Sequence, residues 1–363
     1  MSAYPIGKEP PCPSNLPGCV GKIKDRHALT CRNCYEFSHK HQLGKPEKER
    51  LRIEDRLLED VRTYISENLG KPPVFKPVVH NAKATDHEMV LCLSDTHYPE
   101  VVSPDETMGL TYDAEVCARR LERIRDVVVR YKDLREPAYP IRKLSVALLG
   151  DMLSGNIHEE LEITNQFPVS EALVRLAQLL HTMASSFAEE FPAVELVFMP
   201  GNHPRLTKKP RHKAKWNNWD YVLGHFVSAL SRETYTVQVP KDLVYVHEVC
   251  HRRLGLVHGD GVKSASFAGI PWYGMRSRRE AIQSLLRHLG QPAIDYLLMG
   301  HFHQLLYWQG TDCDLIINGA VKGGDEYSID TRHASTDPVQ ALLTFHPKYG
   351  VTDLSRINLK EVT

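Results

Sequence analysis

The sequence predicts an α/β protein, a layered β-sandwich of mixed sheets flanked by helices, preceded by a small N-terminal module and a helix. Three observations lead there. Short apolar runs alternate with stretches of helical periodicity from about residue 86 onward. Several of those runs end in a block of Asp, His or Asn beside glycine. Four of the eight cysteines, by contrast, crowd into the first 34 residues, where apolar material is scarce. At 363 residues the chain exceeds what one compact domain usually needs, which suits a large domain with an appended module.

Residues 1–45 read Cys12-x6-Cys19-x11-Cys31-x2-Cys34, followed by His39 and His41. The close Cys31–Cys34 pair can place two thiolates at adjacent corners of a tetrahedron, so a structural Zn2+ held by Cys12, Cys19, Cys31 and Cys34 is expected, with His39 or His41 able to replace one cysteine. Metal binding would then supply folding energy that the Pro-, Gly- and Lys-rich segment cannot draw from a core. The alternative is a set of reduced, unliganded thiols. Cys92, Cys117, Cys250 and Cys313 are scattered, which suits a reducing compartment better than a disulfide framework.

Over residues 46–70, Leu51, Leu57, Leu58, Val61, Tyr64, Ile65 and Leu69 recur at three- and four-residue steps and predict an amphipathic helix from Glu47 to Leu69. Gly70-Lys71-Pro72-Pro73 ends it, and residues 71–85 read as a Pro-rich linker. Within 86–363, strands are expected at Met89–Leu93, Leu144–Leu149, Val194–Met199, Leu254–Val257, Tyr296–Met299, Leu315–Asn318 and Ala341–Phe345. Helices are expected over Tyr112–Leu134 and Ser170–Glu190, and from about Glu280, with turns at Gly323-Gly324 and Lys348-Tyr349-Gly350.

Charge excludes little. Forty-five basic and 45 acidic residues cancel, against a protein coated in nucleic acid over its whole surface. No stretch approaches the ~20 apolar residues of a membrane span, and Met1-Ser2-Ala3-Tyr4-Pro5 does not open a signal peptide, so a cytoplasmic location and no membrane partner are expected.

Five blocks carry the chemistry: Ser94-Asp95-Thr96-His97, Gly150-Asp151, Gly201-Asn202-His203, His258-Gly259-Asp260 and Gly300-His301-Phe302-His303. Each sits where a strand hands over to a loop, so their side chains could converge on one edge of the sheets. Any single imidazole here could be a satisfied core histidine; the ordered set argues otherwise. In that order the blocks resemble those of the calcineurin-like metallophosphoesterases, the superfamily of binuclear phosphatases, phosphodiesterases and Mre11-type nucleases. The resemblance runs from Asp95 to His303, and its flanking strands extend it from about Glu88 to the C-terminus; the first 85 residues lie outside it.

The resemblance implies a metallophosphoesterase fold with two divalent ions. Asp95, His97, Asp151 and His303 would hold one, and Asp151 would bridge to a second held by Asn202, His258 and His301. Such mixed imidazole and carboxylate ligation suits Mn2+, with Fe, Zn or Co as alternatives. It also implies metal-activated hydroxide attack on a phosphoester, with His203 contacting the phosphate or protonating the leaving oxygen. Two departures stand out. Pro204-Arg205 follows His203 where relatives usually carry an acid, and Ser154, Asn156 and His158 stand where many relatives place other polar groups. Ser154, Asn156 and His158 are accordingly candidates to contact the substrate or to support the ligands, and His158 is read either as a catalytic helper or as a cap of the helix after it.

The segment after His203 carries Arg205, Lys208, Lys209, Arg211, Lys213 and Lys215 with no acid, then Trp216, Asn217, Asn218 and Trp219. Such a loop either attracts a polyanion, with Arg205, Lys208, Lys209 and Arg211 as substrate contacts, or is a solvated loop with buried tryptophans. Arg276, Arg278 and Arg279 are expected just before the helix at Glu280, flanking the same cleft. Among functions, a phosphodiesterase or nuclease acting on nucleic acid is favoured over a phosphatase or phosphodiesterase for a small molecule or phosphoprotein. A non-catalytic scaffold is disfavoured because all seven ligand positions are filled.

Overall fold

The computed structural model describes residues 45–68, 85–157, 159–262, 271–332 and 335–360. Cys12, Cys19, Cys31, Cys34, His158 and nearly all of the linker lie outside them. The chain divides into two units, Met1–Ala82 and Lys83–Thr363. In the first, helix α1 spans Lys45–Asn68, with Ile53, Leu57, Leu58, Val61 and Tyr64 exposed.

The second unit is the layered sandwich. Its first sheet runs in the order β11 (Gly350–Asn358), β10 (Val339–His346), β1 (His87–Leu93), β2 (Ile141–Leu148), β3 (Val194–Phe198) and β4 (Thr236–Gln238). Strands β1 to β4 are mutually parallel, and β10 runs antiparallel to β1. The second sheet has the order β5 (Tyr245–Val249), β6 (Arg252–Leu256), β7 (Tyr296–Met299), β9 (Asp314–Ile317) and β8 (Leu306–Trp308), parallel from β6 through β7 to β9. Both sheets are therefore mixed.

Strand alternation explains the layering. On β1, Met89, Leu91 and Leu93 point into a core shared with helices α2 (Ala114–Arg135) and α4 (Val169–Glu190), separated in sequence by the short α3 (Glu159–Thr164). Val90 and Cys92 point the other way, to meet Leu254, Leu256, Leu298 and Ile316 of the second sheet. A third cluster joins the far face of that sheet, through Leu297, Met299 and Leu315, to Met275, Ile282 and Leu286 of the helix Trp272–His288. Strands buried on both faces read as continuous apolar runs for this reason. Cys92, Cys117, Cys250 and Cys313 are buried free thiols.

Two helix starts bear on the site. Asp113 caps α2 by accepting from the Val116 amide at 2.7 Å. Asn218 caps α5 (Trp219–Ser231) through the Asp220 amide at 2.8 Å, so the Trp216–Trp219 stretch ends in a buried helix cap rather than open loop. The helix expected from Glu280 is α6, and it begins eight residues earlier, at Trp272 behind Pro271. The three arginines therefore lie on it, and Arg279 is buried, donating to the Cys313 carbonyl at 3.1 Å with its guanidinium over the Trp308 ring. Arg279 faces the second sheet, not the cleft. A last helix, α7 (Glu326–Arg332), precedes β10.

Candidate metal centre

All five blocks follow the C-terminal ends of parallel strands: β1, β2 and β3 in one sheet, β6 and β7 in the other. Backbone bonds knit the loops together. Asp95 N donates to Gly150 O at 3.1 Å, His97 N to Asp151 O at 3.0 Å, and Gly300 N to His258 O at 2.9 Å. Close approach requires glycine at two points. A β-carbon on Gly201 would lie 2.1 Å from both the amide and Oδ1 of Asp151, and one on Gly150 would lie 2.7 Å from the His258 ring.

Asp95, His97, Asp151, His301 and His303 all hold left-handed backbone, with φ from 45° to 71°. Each such residue costs of order 1–3 kcal/mol and persists only where its surroundings over-determine it. The strain falls on the residues that bring ligand atoms together.

Among the described residues, three groups of potential ligand atoms result, each lying within 4.8 Å of one another: Asp95 with His97 and His303, Asp151 with His258 and His301, and His97 with Asp151 and His203. His97 Nε2 and His303 Nε2 are 3.2 Å apart, and Asp95 Oδ1 is 3.4 Å from the latter. His258 Nε2 lies 3.0 Å from Asp151 Oδ2 and 3.0 Å from Asn202 Oδ1. Lone-pair donors of this kind, converging at buried positions, fit divalent cations of the Mn, Fe, Zn and Co type. Asp151 belongs to two of the groups and faces both halves of the cluster. His203 also enters the cluster, its ring edge-to-face with His97 at 4.5 Å and its amide donating to Asp151 Oδ1 at 2.8 Å.

Charge in the cluster is divided unevenly. Burial works against the Asp151 charge, but the imidazoles of His258 and His203 hold its carboxyl well below the usual range. Burial likewise disfavours a charged His258, yet Asp151 overrides it and pushes the imidazole up to about 10. Burial and then the His258 charge push His301 down to about 4. Asp151 and His258 form the ionised pair, and a cation bound at the site would take the proton's place.

Supporting residues escaped the sequence reading because their partners lie far off in the chain. Ser94, Asn318 and Gln340 form a buried network under the first block: Gln340 Oε1 accepts from the Ser94 amide at 2.9 Å and from Asn318 Nδ2 at 2.7 Å. Asp220, at the start of α5, clamps two blocks at once, accepting from Gly201 N at 3.0 Å and Leu153 N at 3.2 Å. Asn218, a helix-capping residue type ahead of an apolar run, is the sequence signal that could have pointed near it.

Burial and then the Asp151 charge push the Asp220 carboxyl up to about 7. Its folded value is thus above the unfolded value of ~3.9, so the stability tied to its protonated form is present below that pH and is lost as pH rises through about 7. Asp220→Asn leaves one amide without an acceptor, a cost of about 1–3 kcal/mol. In chelated protein, the advantage of wild type over this variant should shrink between pH 4 and pH 8 in denaturant titrations. A constant difference would show that Asp220 does not titrate in this way.

The basic loop is closed at its base, where Trp219 N donates to Pro204 O at 2.8 Å, and is tied to the fourth block by Lys215 Nζ on Asp260 Oδ1 at 2.7 Å. Arg205 donates to the loop's own Thr207 and Lys208 carbonyls at 3.1 and 3.0 Å. Lys208, Lys209, Arg211 and Lys213 are exposed. Trp219 packs against the core, while Trp216 sits beneath Lys241, whose ammonium is 4.4 Å from its ring centroid.

No protein-family model and no curated protein matches this chain. Solved structures similar to it include an archaeal phosphodiesterase, 12% identical over 74% of this chain and 99% of that one, with a TM-score of 0.34. Vps29 of Entamoeba histolytica in complex with zinc is 13% identical over 75% of this chain and 99% of that one, with a TM-score of 0.31. A hypothetical protein of Pyrococcus horikoshii is 12% identical over 75% and 87%, with a TM-score of 0.38. At TM-scores this low, function has to be read from the chain's own residues. Among the described residues, no helix is long and apolar enough to cross a membrane.

Proposed function

We propose that this chain is a binuclear metal-dependent phosphoesterase of the calcineurin-like type, acting as a phosphodiesterase or nuclease on nucleic acid. The observation that carries the reaction class is the convergence of Asp95, His97, His303, His258 and His301 around Asp151, a carboxylate shared between groups. Asn202, beside His258, completes the ligand set. Two divalent ions in such a site supply Lewis-acid charge to the phosphoryl oxygens and lower the pKa of a water for in-line attack. The remaining work falls to the chain. The Asp151 carboxylate is held in place by His203 N on Oδ1 and by His258 Nε2 near Oδ2. His203, pinned by that same amide, is placed to donate a proton to a phosphate or leaving oxygen.

The polyanion reading rests on the exposed run Lys208, Lys209, Arg211 and Lys213, on a loop that starts at His203 and is anchored at Asp260. Trp219 packs inward and Trp216, though exposed, carries the Lys241 ammonium on its ring, so the contact read here is one of charge with backbone phosphates. Full-length protein with Mn2+ should hydrolyse bis-nitrophenyl phosphate. It should also cleave single- or double-stranded DNA or RNA faster than free nucleotides, with a rate that falls steeply as salt rises. Replacing Lys209, Arg211 and Lys213 by serine should flatten the salt dependence, each lost phosphate contact removing about 0.7–0.9 from the log–log slope. If polynucleotides turned over no faster than nucleotides and salt had no effect, a small-molecule substrate would take their place.

A further inference from the structure

Glu100 lies three residues past His97, and its side chain turns inward. Its Oε2 is 3.6 Å from His97 Nδ1, and both atoms are buried with no hydrogen-bond partner among the described residues. Its other oxygen accepts from Lys322 Nζ at 2.8 Å. Lys322 also pairs with Asp325, whose Oδ1 accepts from the Ser328 amide at 2.7 Å. All four of His97, Glu100, Lys322 and Asp325 are buried. The row is itself anchored: Lys322 N donates to Asp95 O at 3.2 Å, and Arg120 donates to the Val321 and Lys322 carbonyls at 2.7 and 2.6 Å.

Burial works against the Glu100 charge and the Lys322 ammonium on Oε1 supports it; as a carboxylate, Glu100 turns Oε2 toward His97 Nδ1 as an acceptor. An imidazole with a bare Nδ1 would set a lone pair against the carboxylate. With a proton on Nδ1 it becomes a donor to Glu100, and its Nε2 lone pair then faces His303 and Asp95. The second half of the cluster carries the same device in another form, His258 Nδ1 lying 2.7 Å from the Leu149 carbonyl.

We infer that Glu100, held by Lys322 and Asp325, is a positioning residue that fixes the tautomer and ring orientation of His97, so that Nε2 is presented to a cation. The inference rests on the metal-centre reading above. The 3.6 Å gap is ~0.4 Å beyond a hydrogen bond, so a small shift of the ring would complete one.

Long-range 1H–15N spectra of chelated full-length protein should show His97 as the Nδ1–H tautomer. In Glu100→Gln the amide oxygen stays on Lys322 and the NH2 group faces the ring, so His97 should switch to Nε2–H. Calorimetric titration with Mn2+ should show two sites in wild type, one of them weakened about 10–100-fold in the variant. Glu100→Asp, which keeps the charge, should recover much of that loss. An Nε2–H tautomer in wild type would overturn the inference even if no variant folded. So would unchanged Mn2+ affinity in folded Glu100→Gln. If wild type bound no Mn2+, the metal-centre reading would fall, and the tautomer in metal-free protein would still decide whether Glu100 orients His97.

Discussion

Asp151→Asn should lower Mn2+-dependent turnover of bis-nitrophenyl phosphate by at least ~1,000-fold, about 4 kcal/mol of barrier. The reason is geometric as well as electrostatic. Both oxygens of Asp151 are engaged, His203 N on Oδ1 and His258 Nε2 near Oδ2, and the residue belongs to two of the ligand groups. Asparagine keeps one oxygen, loses the charge, and turns an NH2 group toward one half. His258 loses its counter-ion in the same step. The fold should survive, because the backbone carbonyl at 151 still accepts from His97 N and an asparagine Oδ1 can still accept from His203 N. Turnover, bound metal per chain and circular dichroism check this together; a folded variant within tenfold of wild type would sink the two-metal assignment.

His203→Ala should cost about 100- to 10,000-fold in kcat for a polynucleotide. The dependence on leaving group is the diagnostic part. An alkoxide needs a proton as it departs and a nitrophenolate does not, so the loss should be smaller on the nitrophenyl ester. The structure also places His203 within ligand range of His97 and Asp151, which supplies the competing account. If His203 were a ligand instead, the variant would lose bound metal and both substrates would suffer alike. Comparing kcat on the two substrates with metal content separates the roles.

The parts of the fold that could be read from sequence are those buried on both faces. Strands β1, β2, β3, β7 and β10 announce themselves as apolar runs because one face meets helices and the other a second sheet. Edge strands gave no such signal. Thr236–Gln238 is three residues with an exposed face, and Gly350–Asn358 mixes Thr352, Asp353 and Arg356 into its length. Helix α5 was hidden behind the tryptophans of the basic loop, and the first two turns of α6 behind arginines that read as loop charge although Pro271 marks its start. For the site, residues sitting in glycine-flanked blocks at strand ends were legible. Glu100 with Lys322, Ser94 with Gln340, and Asp220 with Leu153 were not, since these partners are 222, 246 and 67 residues apart and no local pattern joins them.

The candidate ligands leave two different sheets, and this couples mechanics to chemistry. In the proposed arrangement each ion takes ligands from β1–β3 on one side and from β6–β7 on the other, so the pair would act as rivets across the seam between layers. A slide of one layer by a few tenths of an ångström would cost the apolar filling little, yet would spoil a coordination cage with stricter tolerances. Substitutions deep in that seam, at Val197 or Leu298 for example, would then register first as misaligned chemistry and only later as unfolding.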